Sequence, residues 1–177
     1  LWFKEQRAQF HMHLVQVKEF EQLETWYPEK LQIAYNRDAA DYVYEADKLI
    51  SLAGKKLHGK RNHINRFKEA NPDWLYEPIT AENVEECFQM ALKWREEMQC
   101  EYDVDKRDEM CVTLNALRLM EELELQGGLL RTEPGGEVIA FTVGEPLNAD
   151  TFVVHIEKAF AEIQGAYPMI NQQFAEH

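Results

Sequence analysis

The stretch 129–158, LLRTEPGGEVIAFTVGEPLNADTFVVHIEK, decides the fold class of this chain. It holds three segments rich in β-branched and aromatic residues, at 129–133, 137–145 and 151–158. Pro134-Gly135-Gly136 is typical of a tight turn, so the first two segments are expected to form a hairpin. The longer link at 146–150 leads into the third segment. The sequence therefore predicts a three-stranded antiparallel meander.

The segments on either side of the meander complete a recognisable order. The sequence predicts a strand at 73–79, helices at 80–98, 108–125 and 167–176, and a helix stop at Gly127-Gly128. This order is strand, helix, helix, meander, helix. It is not the regular alternation of a doubly wound fold, so an α+β class is favoured.

Upstream lies a basic segment at 54–68, GKKLHGKRNHINRFK. It carries six of the chain's 19 Lys and Arg and none of its 32 acidic residues. Apolar residues at helical spacing, Ile50, Ala53, Leu57, Ile64 and Phe67, predict an amphipathic helix over 50–70. Gly54 and Gly59 lower helix stability, and a break near one of them is left open.

Composition bounds what the chain does. With 177 residues, 45% of them apolar, it suits one domain of ordinary size or one domain plus part of a second. A net charge of −13 argues against general binding to DNA or anionic membrane, so an anionic partner must meet a local patch.

Three cysteines without CxxC spacing indicate reduced thiols in a cytoplasmic protein. No membrane segment is expected. No metal site is expected either, because His11-x-His13 has no completing cluster.

Two further stretches carry a family resemblance. From residue 73 the element order resembles the first two thirds of the GNAT acyltransferase fold, a mixed sheet with an antiparallel meander and flanking helices. GKKLHGKRNHINRF (54–67), preceded by DYVYEADKLISL (41–52), and HIEKAFAEIQGAYPMINQQFAEH (155–177) resemble the GNAT-like family related to the C-terminal domain of phosphatidylglycerol lysyltransferase. The resemblance covers 38–79 and 137–177 well and the middle by element order.

The resemblance implies a domain organisation and an activity. Members pair two GNAT-like halves, so 1–45 would be the tail of one half. Residues 46–177 would be a second half, with the basic lead-in helix at 50–70 and a core from 73. This second half is expected to be incomplete after its donor-site helix. The implied reaction is acyl or aminoacyl transfer to an amine or hydroxyl, with aminoacyl-tRNA or acyl-CoA as donor.

The resemblance also locates the donor. The last meander strand and the next helix would frame the donor site, with free N–H groups at the helix N-terminus facing a phosphate or carbonyl. The implied donor-binding residues are Lys158, Gln164, Gly165, Ala166 and Tyr167. Gln164 is followed directly by Gly165, which departs from the Q/R-x-x-G-x-G/A spacing of CoA-binding members. The alternatives are that Lys158 is a surface lysine at the strand end and that Tyr167 is a core or cap aromatic.

Candidate catalytic and anion-binding residues follow. Alternation places His155 and Glu157 on one strand face, where either could deprotonate an acceptor; a polar face with a cross-strand ion pair is the alternative. The anion-binding candidates are Lys55, Lys60, Arg61, His63 and Arg66, which alternatively pair with the acidic body. The second function that these residues allow is a non-catalytic anion- or RNA-binding or structural module on the same fold.

Overall fold

The structure is a computed structural model that describes residues 5–7, 9–13 and 15–177. The chain divides into two compact units, Leu1–Val43 and Tyr44–His177. The first unit contains helix α1 (Val17–Trp26), which begins with a capping box between Gln16 and Glu19, and a 3-10 turn at Arg37–Ala39. None of the helices in the described ranges has the length and apolar character that crossing a membrane requires.

The second unit contains the sheet and the other helices. Its helices are α2 (Ala46–Ser51), α3 (His58–Ala70), α4 (Val84–Glu97), α5 (Val104–Arg118) and α6 (Ala166–Glu176). Its strands are β1 (Leu75–Pro78), β2 (Gln126–Arg131), β3 (Val138–Pro146) and β4 (Phe152–Ala159). Short 3-10 turns lie at Lys55–Leu57 and Cys100–Tyr102.

The four strands form one sheet in the order β1-β2-β3-β4. Each neighbouring pair is antiparallel, so the predicted α+β class and the meander are confirmed. The sheet is antiparallel throughout the described residues. The expectation of a mixed sheet is therefore wrong. At the β2–β3 hairpin the Gly136 N–H donates to the carbonyl of Glu133 at 3.0 Å, which closes the predicted turn.

Helices cover both faces of the sheet. On one face, Trp94 of α4 donates its indole N–H to the carbonyl of Ala159 at 3.1 Å, and Glu109 of α5 pairs with Lys158. On the other face, Asn171 of α6 donates to the carboxylate of Glu157 at 2.9 Å. Consecutive strand residues point to opposite faces, so Glu157 and Lys158 mark the two sides of β4.

The basic segment is not one continuous helix. Leu52 adopts a left-handed conformation (φ 48°) and ends α2, Gly54 follows at φ 95°, and α3 begins at His58. Arg61 secures this break, because its Nη1 donates to the carbonyls of Leu52 and Gly54. The helix predicted over 50–70 is therefore interrupted, and the break lies near Gly54, the first of the two glycines at which a break was left open.

Gly127 and Gly128 do not end a helix. Helix α5 ends at Arg118, and both glycines lie inside β2. A Cβ on Gly128 would overlap the ring of Tyr76, which lies diagonally across on β1, two residues before Pro78, the direct partner of Gly128. The glycine pair is needed for close packing between strands, which the sequence pattern could not distinguish from a helix stop.

Arg131 is a buried charge that the sequence pattern did not reveal. Its side chain is 6% exposed at the end of β2. It forms a two-pronged pair with Glu86 of α4 (2.6 and 2.9 Å) and contacts Glu77 of β1 at 3.0 Å. It also donates to the carbonyl of Gly136. Arg131 thus ties α4, β1 and the β2–β3 hairpin together.

Candidate functional site

A cleft of about 470 Å³ opens between α3, the turn after β4 and the first turns of α6. Its polar lining residues are Lys60, His63, Glu157, Gln164, Tyr167 and Asn171. Phe160, Ile163 and Pro168 supply apolar wall. The cleft therefore combines basic groups, a carboxyl group and the start of a helix.

Gly165 brings the basic helix to this turn. It is the N-cap of α6 with φ 87°, and a Cβ there would overlap the carbonyl oxygen of His63 and come within 3.0 Å of the Cβ of Phe67. Helix α3 thus lies directly against the start of α6. The N–H of Tyr167, in the first turn, has no acceptor within the helix, and this end carries partial positive charge.

Glu157 is the carboxyl group of the cleft. It is half-buried and accepts a hydrogen bond from Asn171. Burial raises the pKa of Glu157, while the Asn171 hydrogen bond and the positive charge of Lys60 act in the opposite direction. A carboxylate with a raised pKa takes up protons more readily near neutral pH, as a general base requires.

Replacing Glu157 is expected to make the stability of the protein less dependent on pH. Because the folded pKa lies above the ordinary 4.5, the native state binds more protons than the unfolded state between these two values. Stability is therefore lost as the pH rises through this window. Glu157→Gln should remove that loss and be more stable than wild type at pH 7, with the difference vanishing below about pH 4.5.

Urea unfolding of both proteins at a series of pH values measures this difference. Gln keeps an oxygen that can accept the hydrogen bond from Asn171, so the comparison isolates the charge. A Glu157→Gln protein less stable than wild type at pH 7 would contradict the raised pKa.

His155 does not share the cleft with Glu157. A β-bulge pairs Val143 with Ile156 and the next residue, Gly144, with Val154, so His155 is the extra residue on β4. Its Nε2 lies 2.8 Å from Oε1 of Glu145. It lines a different cavity, together with the adjacent Ile156. The prediction that alternation places His155 and Glu157 on one face is therefore wrong.

Lys158 is also outside the cleft. Its side chain is 5% exposed, forms an ion pair with Glu109 of α5, and places Nζ 4.2 Å from the centre of the Trp94 ring. It faces α4 and α5, so the structure does not bring it to the proposed donor. Nor is it a surface lysine. The ion pair depends on where α5 packs, and the alternation of residues along β4 does not predict that.

The remaining predicted residues divide into two groups. Lys60 and His63 lie at the cleft, as do Gln164, Gly165 and Tyr167. The others are elsewhere: Lys55 and Arg66 are exposed outside the cleft lining, Arg61 holds the Leu52 and Gly54 carbonyls, and Ala166 is fully buried.

Sequence reasoning missed Asn171, the hydrogen-bond partner of Glu157. A signal for it exists in the sequence. Asn171 follows Tyr167 by four residues in the predicted helix, so the two side chains share a helix face.

The described residues thus form an α+β domain with a polar cleft between β4 and α6. The family model for phosphatidylglycerol lysyltransferase, C-terminal, matches residues 2–177. The chain belongs to this family. The name of the family indicates a transferase.

A solved structure supports the fold. A crystal structure of a conserved protein of unknown function from Bacteroides thetaiotaomicron VPI-5482 is 39% identical in sequence and superposes with a TM-score of 0.85. The match covers 98% of this chain and 58% of that one, so the chain spans little more than half of its relative. No curated protein matches the sequence significantly.

Proposed function

We propose that this chain is the donor-binding part of an acyl- or aminoacyltransferase with a GNAT-like fold. The observation that carries the proposal is the meeting of Lys60 and His63 with Glu157 and the α6 N-terminus in one cleft. These are the groups that an anionic activated donor and a proton transfer need. The family name, lysyltransferase, supports the same class of reaction.

Donor binding rests on the basic side of the cleft. Lys60 and His63 project from α3 towards the α6 N-terminus, so the phosphates of an aminoacyl-tRNA or acyl-CoA would lie between them. The N–H of Tyr167 would face the donor carbonyl. Holding donor and acceptor together supplies much of the rate enhancement in such transfers.

Glu157 supplies the proton transfer. The nitrogen or oxygen of the acceptor attacks the carbonyl carbon of the donor ester or thioester, and Glu157 takes the proton that the nucleophile loses. The bond from this carbon to the leaving oxygen or sulfur then breaks, and Glu157 returns the proton to the leaving atom. The carboxylate is thus regenerated, and no metal enters the scheme.

Ligand-dependent thermal shifts of the full-length protein would test donor binding. A cognate donor at a hundred times its Kd should stabilise the protein by about 2.7 kcal/mol. Lys60→Met should weaken binding by roughly tenfold through loss of one charged contact. Lys93→Met is the matched control, since Lys93 pairs with Glu137 on the surface and lies outside the cleft.

A turnover measurement distinguishes the proposed transferase from the non-catalytic binding module. Glu157→Gln should bind the donor normally but transfer its acyl group at least about a hundredfold more slowly. The non-catalytic alternative expects charged and deacylated tRNA to bind alike, with affinity falling steeply with salt. Binding of neither donor class, or equal transfer by Glu157→Gln and wild type, would refute the proposed mechanism.

A further inference from the structure

A second cavity lies on the face of the sheet opposite to the cleft. It measures about 350 Å³ and lies between α5, the turn 119–125 and strands β3 and β4. Its walls are apolar: Val112, Ala116, Leu123, Leu125, Val143 and Ile156. Val112 and Leu123 remain 63% and 51% exposed at its edge. This volume is at the lower end of the range for small-molecule sites.

The β-bulge builds the polar end of this cavity. Without the extra residue, His155 and Ile156 would point to opposite faces of β4. With it, both line the cavity, and His155 meets Glu145 of β3. The side chains of His155 and Glu145 are 44% and 45% exposed, so the pair is open to a ligand.

The polar pair offers a carboxylate acceptor. Because a carboxylate can only accept, the 2.8 Å contact has Nε2 of His155 donating to Oε1 of Glu145. The second oxygen of Glu145 is also an acceptor. The adjoining turn carries exposed Glu121, Glu122 and Glu124, so the surrounding charge is negative. A cationic donor complements this end, and an anion does not.

We propose that this cavity binds a small hydrophobic primary amine. The alkyl or aryl body lies between α5 and the sheet, and the ammonium group donates to the carboxylate of Glu145, which His155 helps to orient. Ile156 and Glu157 are consecutive on β4 beyond the bulge, so this site and the cleft lie on opposite faces. The amine site is therefore spatially separate from the cleft.

Octylamine is the probe for this site, with octanoate and butylamine as controls. Titration of the full chain, followed by calorimetry and methyl NMR, should show saturable octylamine binding with shifts at Ala116 and Val143. Octanoate has the same chain but the wrong charge, and butylamine has too little apolar surface. Both should bind at least about tenfold more weakly.

Two variants and a control locate the site. Glu145→Gln should weaken octylamine binding at least about tenfold, because a charge-assisted hydrogen bond is lost. Glu133→Gln, on the distant β2–β3 hairpin, should leave it unchanged. Ala116→Met should fill the cavity and abolish binding; if that variant does not fold, Glu145→Gln decides alone. Absence of saturable binding, equal binding of octanoate, or full binding by Glu145→Gln would overturn the proposal.

Discussion

Gly165→Ala is expected to lower the free energy of unfolding by about 2–4 kcal/mol. The left-handed φ of 87° costs an L-residue about 1 kcal/mol. The remainder comes from overpacking, because the new Cβ meets the backbone of His63 and the side chain of Phe67, neither of which yields cheaply. Urea unfolding followed by far-UV circular dichroism measures the loss.

Two other glycines separate these costs. Gly135 also has a positive φ, of 74°, but a Cβ there meets nothing within 4 Å, so Gly135→Ala should cost only about 1 kcal/mol. Gly59 lies in α3 with open space around it, and Gly59→Ala should stabilise by up to about 1 kcal/mol. If Gly165→Ala costs no more than Gly135→Ala, α3 does not approach α6 as closely as described.

Arg131→Met is expected to lower the free energy of unfolding by about 2–4 kcal/mol. Breaking a buried ion pair costs about 3–5 kcal/mol when the partner stays buried. The side chains of Glu86 and Glu77 are 49% and 33% exposed, so water relieves part of this cost. Met keeps most of the apolar stem, and the measured loss therefore reports the guanidinium contacts.

Lys93→Met is the matched control, and acid unfolding is the second readout. Lys93 and Glu137 form a surface pair at 2.8 Å, worth at most about 1 kcal/mol. The hydrogen bond from Arg131 lowers the pKa of Glu86 below its ordinary 4.5. This pair therefore contributes stability above pH 4.5 that is lost as the pH falls through the folded pKa. Arg131→Met should lose less stability than wild type across that acid range; a parallel loss in both would contradict the pairing.

The meander was predictable because its determinants are local. A Pro-Gly-Gly turn and runs of β-branched residues act within a few residues of one another, and they specified three strands to within a few residues. The end of α5 was not predictable. In the sequence, Gly128 is typical of a helix stop. In the structure, the position needs a glycine because the ring of Tyr76, on a strand some fifty residues earlier, leaves no room for a side chain.

The segments that contribute to the site were predictable from the sequence, but the way the fold brings them together was not. The basic segment and the turn at Gly165 each carried a visible pattern, but their meeting is a tertiary contact between α3 and α6. The position of His155 depends on one extra residue in β4, and no periodicity in the sequence marks a bulge. The burial of Lys158 depends on Glu109, which lies on a separate helix.

The contact between α3 and α6 also bears on how the protein is made. Ile64 and Phe67 are buried in the finished fold, and α6, which packs on α3, begins only at residue 166. A ribosome adds about 5–20 residues per second, so α6 is synthesised on the order of 5–20 s after α3. During that time the apolar face of this amphipathic helix, with Ile64 and Phe67, has no contact with α6. The cleft, in contrast, forms only after the first turns of α6 have been synthesised.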